Sequence, residues 1–300
     1  MKLYAPAYYR EFACIADRCP HSCCVGWEID VDGDARQKYA AVTGALGEIL
    51  RASLEQGEDG VHFALRPDGR CPHLDGQGLC EIIKHLGEGY LCEICREHPR
   101  YYNRVGDRLE CGVGASCEAA AALILAEAYT AIEPLDGEGD LQNGNTCADF
   151  DAIFAREALY RLLSDPTVPY EERLARIARE LALPVPLDAE RWRALFEGLE
   201  YLDEAHRALF VACAADVRRV ECVQPACERF LAYLIYRHAS PAEDAPDFCL
   251  SVGFALVLER LFAALTARGM PPVAAAVAVS EELEYSTDNT EAIRAALLTP

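Results

Sequence analysis

Ten cysteines between Cys14 and Cys117 constrain this chain more than any other feature of its sequence. The 300 residues contain 15 cysteines and seven histidines, and five of those histidines lie in the same stretch. Thiols and imidazoles gathered in this way are typical of bound metal, because a zinc ion or an iron–sulfur cluster usually takes four such ligands. The sequence therefore predicts that this part of the chain folds around metal.

The spacing of the cysteines indicates which of them are ligands. Cys92 and Cys95 are separated by two residues, the loop spacing that brings two sulfur atoms to one metal. Cys23 and Cys24 are adjacent, and neighbouring side chains of an extended chain point to opposite sides. They therefore serve either two different sites, or one as a ligand and the other as a packed thiol. The predicted metal ligands are Cys14, Cys19, Cys23, Cys24, Cys71, Cys80, Cys92, Cys95 and Cys117.

Several further residues are open to two interpretations. Cys111 is equally well a ligand or a packed thiol, since a free cysteine behaves as a small buried hydrophobe. Three histidines lie beside cysteines and either ligate metal or support a ligand through a hydrogen bond: His21, His73 and His98. We expect buried packing residues at the remaining cysteines, which are Cys147, Cys213, Cys222, Cys227 and Cys249.

The formal charge of −21 bears on partners. It arises from 49 acidic against 28 basic residues. An acidic surface repels nucleic acid and anionic membranes and favours a basic, lysine-bearing partner, although many proteins are acidic only for solubility. Residues 1–10 lack the apolar core of a signal peptide. We therefore predict a cytoplasmic protein with no nucleic-acid or membrane partner, in a compartment where disulfides are disfavoured.

The predicted fold class is mainly α. A polar, glycine-rich link at residues 133–145 suggests two domains: a Cys-rich metal-binding domain at 1–132 with a few short strands, and an all-helical, bundle-like domain at 133–300. In the first, we expect a hairpin over 101–111 that turns at Gly106, and a helix over 34–54. In the second, we expect helices near 148–164, 170–182, 188–203, 204–219, 222–239, 247–267 and 288–298.

Specific motifs within roughly residues 5–125 resemble a known family. They are Phe12-x-Cys14, Cys23-Cys24-x-Gly26-Trp27, Cys71-Pro-His-Leu-Asp75, Cys92-x2-Cys95-Arg96-x2-Pro99-Arg100 and Ser116-Cys117. Together they resemble the flagellin lysine-N-methylase family, within a broader group of zinc- or iron-chelating cysteine-cluster proteins. Two positions depart from the family pattern: Glu118, where proline is expected, and Cys111, where an apolar residue is more usual.

The resemblance implies a methyl transfer from S-adenosylmethionine to lysine side chains of flagellin. It also implies dependence on an iron–sulfur cluster, of the 4Fe–4S type before others, with zinc as the alternative. Arg96 and Arg100 would then bind the carboxylate of the methyl donor or neutralise the anionic cluster. Candidate bases for the lysine proton lie near the cysteines: Tyr90, Tyr101, Tyr102, Asp30 and Asp75.

Other interpretations remain open. The cysteine spacing of radical S-adenosylmethionine enzymes is missing, and Cys111-Gly112-Val-Gly114 is only a weak match to a nucleotide-binding loop. A zinc-stabilised interaction module without catalysis is the main alternative function. A thiol oxidoreductase that uses Cys92 and Cys95 fits poorly, since no thioredoxin-like pattern surrounds them.

Overall fold

A computed structural model describes residues 1–20, 22–57, 60–126, 131–139, 150–183, 188–216 and 225–298. The strands are β1 (Lys2–Pro6), β2 (Leu54–Gln56), β3 (Val61–Phe63), β4 (Arg100–Val105), β5 (Arg108–Val113) and β6 (Ile132–Glu138). The helices are α1 (Gly33–Ala41), α2 (Gly44–Ala52), α3 (Glu81–Leu86), α4 (Glu93–Glu97), α5 (Glu118–Ala126), α6 (Ala152–Leu163), α7 (Tyr170–Glu180), α8 (Ala189–Gly198), α9 (Glu204–Cys213), α10 (Ala226–Leu234), α11 (Ala245–Ala267), α12 (Pro272–Val279) and α13 (Thr287–Leu298).

The chain divides into two compact units. Ala13–Arg100 forms one, here called the cysteine unit, and Met1–Phe12 with Tyr101–Pro300 forms the other, here called the helical unit. The mainly α class is confirmed, with short strands in both units. The domain boundary at residues 132–133 stays a prediction, because compactness divides the chain at other places.

The cysteine unit contains two short helices where one long helix was expected. The predicted helix over 34–54 is broken between α1 and α2, where Gly44 has a φ of +76°, a conformation that glycine adopts without strain. Asp32 caps α1 by accepting from the Ala35 backbone N–H at 2.9 Å. Strands β2 and β3 pair antiparallel, and the Val31 N–H donates to the Val61 oxygen at 2.7 Å. These contacts build a small core.

The helical unit contains a four-stranded sheet in the order β4-β5-β1-β6. The predicted hairpin is β4 and β5, with Gly106 at a φ of +60° in the turn. Strand β1 lies parallel to β5 and antiparallel to β6, so it is a central strand. The sequence did not predict β1 or β6, and β6 occupies the first part of the expected polar link.

Helix α11 lies at the centre of the helical unit. It packs against α9, α10, α12 and α13, and residues on every side of it are buried. By length and composition alone it is the one described helix that could cross a membrane. However, 78% of its apolar window is buried inside the protein, as in the core helix of a globular fold. The helices predicted near 170–182, 247–267 and 288–298 correspond to α7, α11 and α13 within a few residues.

Two helices of the helical unit continue into π-helical segments. Ile235–Ala239 follows α10 and Ser280–Glu284 follows α12. Sequence periodicity predicted a helix over 222–239 but missed α12, which begins with Pro272 at its first turn. These segments place the ionisable side chains of Arg237, His238 and Glu284 largely in the interior.

A buried ion pair fastens the sheet to the helices. Glu110 of β5 and Arg156 of α6 are both fully buried, with Arg156 Nη2 donating to Glu110 Oε1 at 3.0 Å. Arg108 also donates to Glu110, and Arg156 donates to the Ser240 hydroxyl at 2.6 Å. A buried charge without its partner is strongly unfavourable, so these residues must be retained together.

Candidate metal centre

Five cysteines of the cysteine unit come together in its core. Cys71 and Cys92 are buried members of the cluster that also contains Tyr39, Leu74 and Ile82. The other three thiols, Cys24, Cys80 and Cys95, are partly buried and pack against the same cluster. The sequence prediction that distant cysteines converge therefore agrees with the structure for these five.

Backbone hydrogen bonds fix the segments that carry three of these thiols. The Cys71 N–H donates to the Cys24 oxygen at 2.8 Å, and Val25 and Arg70 form an antiparallel bridge. A second bridge joins Leu74 to Cys80. Since these bonds involve only the main chain, they fix the backbone positions of the three segments independently of the thiol side chains.

The other two thiols are placed by a helix start. Cys92 is the N-cap residue of α4 and Cys95 lies one turn further along that helix. Cys80 has the same place at the start of α3. At a helix start the first backbone N–H groups are unpaired and point toward the preceding residue, which favours a thiolate there.

The thiols influence each other's ionisation. The pKa of Cys71 is raised to about 12, first by burial and then by the nearby Cys24, Cys80 and Cys92, while the His73 backbone N–H opposes the rise. Burial also raises the pKa of Cys80, against the backbone N–H groups of Ile83 and Ile82.

In the remaining three thiols the hydrogen bonds between sulfur atoms dominate. A hydrogen bond with Cys95 lowers the pKa of Cys92 and raises that of Cys95. A hydrogen bond with Cys23 is the largest cause that raises the pKa of Cys24. The thiolate form is therefore disfavoured at Cys24, Cys71, Cys80 and Cys95, and a metal ion that binds thiolates would supply the positive charge that offsets this.

The spacing of the sulfur atoms limits the kind of site. In the described ranges, the group of three ligand residues whose donor atoms all lie within 4.8 Å of one another is His206, Glu281 and Glu282. No three of the described thiols lie that close together, although Cys92 and Cys95 form a hydrogen-bonded pair, whereas zinc with 2.3 Å bonds holds its sulfurs about 3.8 Å apart. The donor set, which is sulfur from five residues, fits a soft metal site in its chemistry.

The other four predicted ligands lie outside this core cluster, although Cys23 forms a hydrogen bond with Cys24. Cys14 and Cys23 are exposed, and Cys19 is partly buried, all within the cysteine unit. Cys23 and Cys24 thus have different surroundings, as the adjacency argument allowed. Cys117, just before α5, packs against the core of the helical unit, and Cys111 is buried in β5, where burial raises its pKa to about 11. Their roles as ligands stay predictions.

The histidines beside the cysteines differ in burial and in hydrogen bonding. His73 is buried, and its Nε2 lies 2.8 Å from the Ser53 hydroxyl, while burial lowers its pKa to about 4. The Ser53 hydroxyl donates to the Leu50 oxygen, so His73 donates to Ser53 and its Nε2 is not a ligand atom. His98 is partly buried, and His21 lies outside the described residues.

The cysteines expected to be packing residues are only partly described. Cys213 is buried and Cys249 is partly buried, as predicted. Cys227 is buried too, but it is disulfide-bonded. Cys147 and Cys222 lie outside the described residues.

The residues predicted to bind the methyl donor or remove a proton are scattered. Arg96 is exposed on α4 and pairs with Glu97, with Nε 3.2 Å from Oε1. Arg100 is partly buried, and its Nη1 lies 3.5 Å from the Arg96 oxygen. Asp75 accepts from Lys84 at 2.6 Å and from two backbone N–H groups of its own loop, so the pKa of its carboxyl is lowered to about 2.

The predicted bases include tyrosines in both units. Tyr90 packs against the core of the cysteine unit, whereas Tyr101 lies in the helical unit with its hydroxyl buried. Tyr102 is 37% exposed, and Asp30 is exposed beside β3. A base role stays a prediction for each of them.

Sequence reasoning missed Tyr39, which lies among the thiols. Its side chain is fully buried, and burial followed by the nearby Cys92 and Cys95 raises its pKa. The signal available in the sequence was its spacing of four residues from Ala35, which places both on the buried face of α1. That spacing predicts burial but cannot tell which loop lies opposite.

The group of His206, Glu281 and Glu282 in the helical unit has a structural explanation. Glu282 accepts from His206 Nδ1 at 2.8 Å and from the backbone N–H groups of Leu202 and Asp203 at 2.7 and 3.1 Å. The carboxylate therefore caps the chain entering α9, and His206 Nδ1 carries a proton. The hydrogen bond to Glu282 raises the pKa of His206, which suits an ion pair better than a metal ligand.

These features define a mainly α protein that gathers thiols from four separate segments into one small core. Comparison with known proteins then gives its relatives. The chain is 28% identical over 129 residues to the flagellar biosynthetic protein FliU of Salmonella muenchen, covering 40% of this chain and 75% of that protein. It is 30% identical over 129 residues to the lysine-N-methylases of Salmonella typhimurium and Salmonella choleraesuis.

The matches to the two lysine-N-methylases cover 40% of this chain but only 31% of each relative. No family model matches the chain, and no solved structure matches it. The chain is therefore related to the lysine-N-methylase family, as its motifs predicted, and it spans about a third of the length of these two members.

Proposed function

We propose that this protein is an N-methyltransferase that transfers a methyl group from S-adenosylmethionine to lysine side chains of flagellin, in the cytoplasm, and depends on an iron–sulfur cluster. The observation that carries the proposal is the convergence of five thiols in the core of a protein related to lysine-N-methylases. The names of the relatives, one of them flagellar, support a lysine of a flagellar protein as the acceptor.

Cys24, Cys71, Cys80, Cys92 and Cys95 are the residues best placed to hold the cluster. When bound, an iron atom with an open coordination position would act as a Lewis acid for the amino and carboxylate groups of the methyl donor. Arg96, which is exposed, would approach the donor carboxylate or offset the negative charge of the thiolates. The exposed Cys14 and Cys23, together with Cys19 and Cys117, remain proposed ligands.

The transfer itself requires a neutral lysine amine. The lysine ammonium has an ordinary pKa near 10.4, so it must lose a proton before its nitrogen attacks the methyl carbon. The new N–CH3 bond forms as the S–CH3 bond breaks, which converts the sulfonium donor into a neutral thioether. The net charge of −21 attracts a lysine-bearing partner to the protein.

The metal requirement is tested by elemental analysis of anaerobically purified protein. We expect iron and acid-labile sulfide, and a loss of both in Cys71→Ser and Cys92→Ser, whose thiols are buried in the core. Cys249→Ser, a partly buried thiol of α11, is the matched control and should keep the wild-type iron content. A colourless protein that contains only zinc would reject the iron–sulfur cluster and favour the metal-stabilised interaction module.

The methyl transfer is tested separately, by mixing the iron-loaded protein with labelled S-adenosylmethionine and flagellin. Label on flagellin lysines supports the proposal. Absence of label with protein of full iron content would reject the enzymatic function.

A further inference from the structure

The hydroxyl of Tyr39 is a buried polar group without a hydrogen-bond partner among the described residues. The side chain has no exposed surface, and its ring stacks on Phe63 with centroids 6.0 Å apart. A buried hydroxyl that makes no hydrogen bond destabilises the folded state, because it has lost its bonds to water without replacement. Phenylalanine would fill the same apolar contacts, so the oxygen atom requires an explanation of its own.

The two ends of α1 determine what this hydroxyl faces. At the first turn, Asp32 Oδ2 accepts from the Glu93 N–H at 2.7 Å, directly after Cys92. At the last turn, Lys38 Nζ donates to the Gly89 oxygen at 2.8 Å. Both bonds hold α1 against the segment that carries Cys92 and Cys95. Tyr39 directly follows the second anchor, on the buried face of α1, and belongs to the same core as the thiols.

We infer that the Tyr39 hydroxyl donates a hydrogen bond to the sulfur-ligated metal group held by Cys92 and Cys95. This inference rests on the metal centre of the proposed function. A neutral phenol is a donor, and thiolates or sulfides that carry negative charge are its natural acceptors. Tyr39 is thus a positioning residue that stabilises the group through one atom and does not ligate it.

A hydrogen bond to the sulfur atoms affects the electron-rich state most. Reduction adds negative charge to the cluster, so a donor stabilises the reduced form and makes the reduction potential more positive. Removal of the donor should therefore make the potential more negative without changing the amount of metal bound. A purely structural role of the ring would leave the potential unchanged, because Tyr39→Phe keeps the ring.

The test compares reduction potential and visible absorption of wild-type, Tyr39→Phe and Tyr201→Phe proteins, each prepared anaerobically and assayed for iron and sulfide. Tyr201 is the matched control, since its hydroxyl already donates to the Phe196 oxygen at 2.8 Å in the helical unit. We expect a more negative potential only in Tyr39→Phe, at unchanged iron and sulfide content.

If Tyr39→Phe fails to fold, a second substitution with the opposite expected shift in reduction potential still tests the inference. Placing 3-fluorotyrosine at position 39 keeps the volume nearly constant and makes the phenol a stronger donor, so the potential should become more positive. Iron-loaded variants with the wild-type potential and spectrum would overturn the inference and leave the proposed function standing. A wild-type protein without an iron–sulfur cluster would reject both.

Discussion

Gly112 and Gly114 lie at positions where neighbouring side chains leave no room for a Cβ atom. Their motif weakly resembles a nucleotide-binding loop, but in the structure they are part of, or follow, β5. A Cβ atom at Gly112 would overlap the Tyr101 ring, and one at Gly114 would overlap the Tyr285 hydroxyl and the Arg237 guanidinium. The two glycines are therefore explained by the aromatic and cationic side chains that pack on the strand.

This explanation predicts the effect of one methyl group. We expect Gly114→Ala to lower the free energy of unfolding by about 1–3 kcal/mol, because overpacking forces buried side chains to move. Gly198→Ala, at the end of α8, meets no atom within 4 Å and should change it by less than about 0.5 kcal/mol. Urea unfolding followed by circular dichroism measures both. Equal stability of the two variants would contradict the packing argument.

The buried residues around Arg237 form a network that favours charge in the interior. The Arg237 guanidinium lies over the rings of Tyr285 and Tyr101, with its carbon 4.4 and 4.8 Å from their centroids. Glu284, also buried, accepts from His238 Nε2 at 2.7 Å and from the Tyr233 hydroxyl at 3.1 Å. Burial alone would raise the pKa of Glu284, but Arg237 and then His238 hold it at about 2.

The network predicts a pH dependence at residue 284. The lowered pKa means that Glu284 stabilises the folded state fully above its ordinary value of 4.5, and that this contribution is lost as the pH falls through about 2. Glu284→Gln should therefore be less stable than the wild type by about 3–5 kcal/mol at pH 7, with a difference that shrinks from pH 4.5 downward.

Unfolding in urea at a series of pH values provides the measurement. Glu204→Gln is the control, since that carboxylate is exposed and 3.4 Å from Arg207. A stability difference for Glu284→Gln that stays constant down to pH 2 would contradict the assignment of charge.

At the scale of elements, Asp32 has two tasks. Its Oδ1 caps α1 through the Ala35 N–H, while its Oδ2 binds the Glu93 N–H at the start of α4. Loss of an N-cap alone is unfavourable by about 1 kcal/mol. The second bond makes the same carboxylate a link between the helix of Tyr39 and the loop of Cys92.

We expect Asp32→Ala to lower the stability of the fold and, under the proposed function, the retention of iron. The stability loss should be about 1–2 kcal/mol, and iron should be released faster to a chelator because Cys92 loses an anchor. Asp34→Ala changes an exposed carboxylate two residues further on and serves as control. Chelator-release rates and thermal unfolding measure the two effects. Wild-type release from Asp32→Ala would show that the link does not support the thiols.

The elements also show how far sequence alone can lead. The clustering of Cys71, Cys80 and Cys92 was predictable, because cysteines this closely grouped in a sequence usually bind a common metal. Tyr39 was not, since its neighbour across the core is set by tertiary packing. Strand β1 was not predicted, because Lys2–Pro6 is short and its partner strands lie more than 100 residues away in sequence.

At the scale of the whole molecule, the acidic net charge predicts that the reaction rate depends on salt. Under the proposed function, the net charge of −21 should attract a lysine-bearing protein substrate over several ångströms of solvent. Raising salt from about 0.01 M to about 0.15 M shortens the screening length from about 30 Å to about 8 Å. The methylation rate at low substrate concentration should therefore fall, while the rate at saturating substrate should change little.

Initial rates at both substrate concentrations, with sucrose in place of salt as the control, measure this effect. An equal fall at saturation would show that salt acts on the chemical step or on stability, and not on the encounter of the two proteins.

The central place of β1 in its sheet has a consequence for biosynthesis. Residues 2–6 are translated well before the strands on either side of them, since β5 and β6 begin at Arg108 and Ile132. The whole of Ala13–Arg100 is translated before either neighbour exists. The nascent chain can thus fold its cysteine unit while β1 still has no partner strand, because β5 and β6 have not been synthesised.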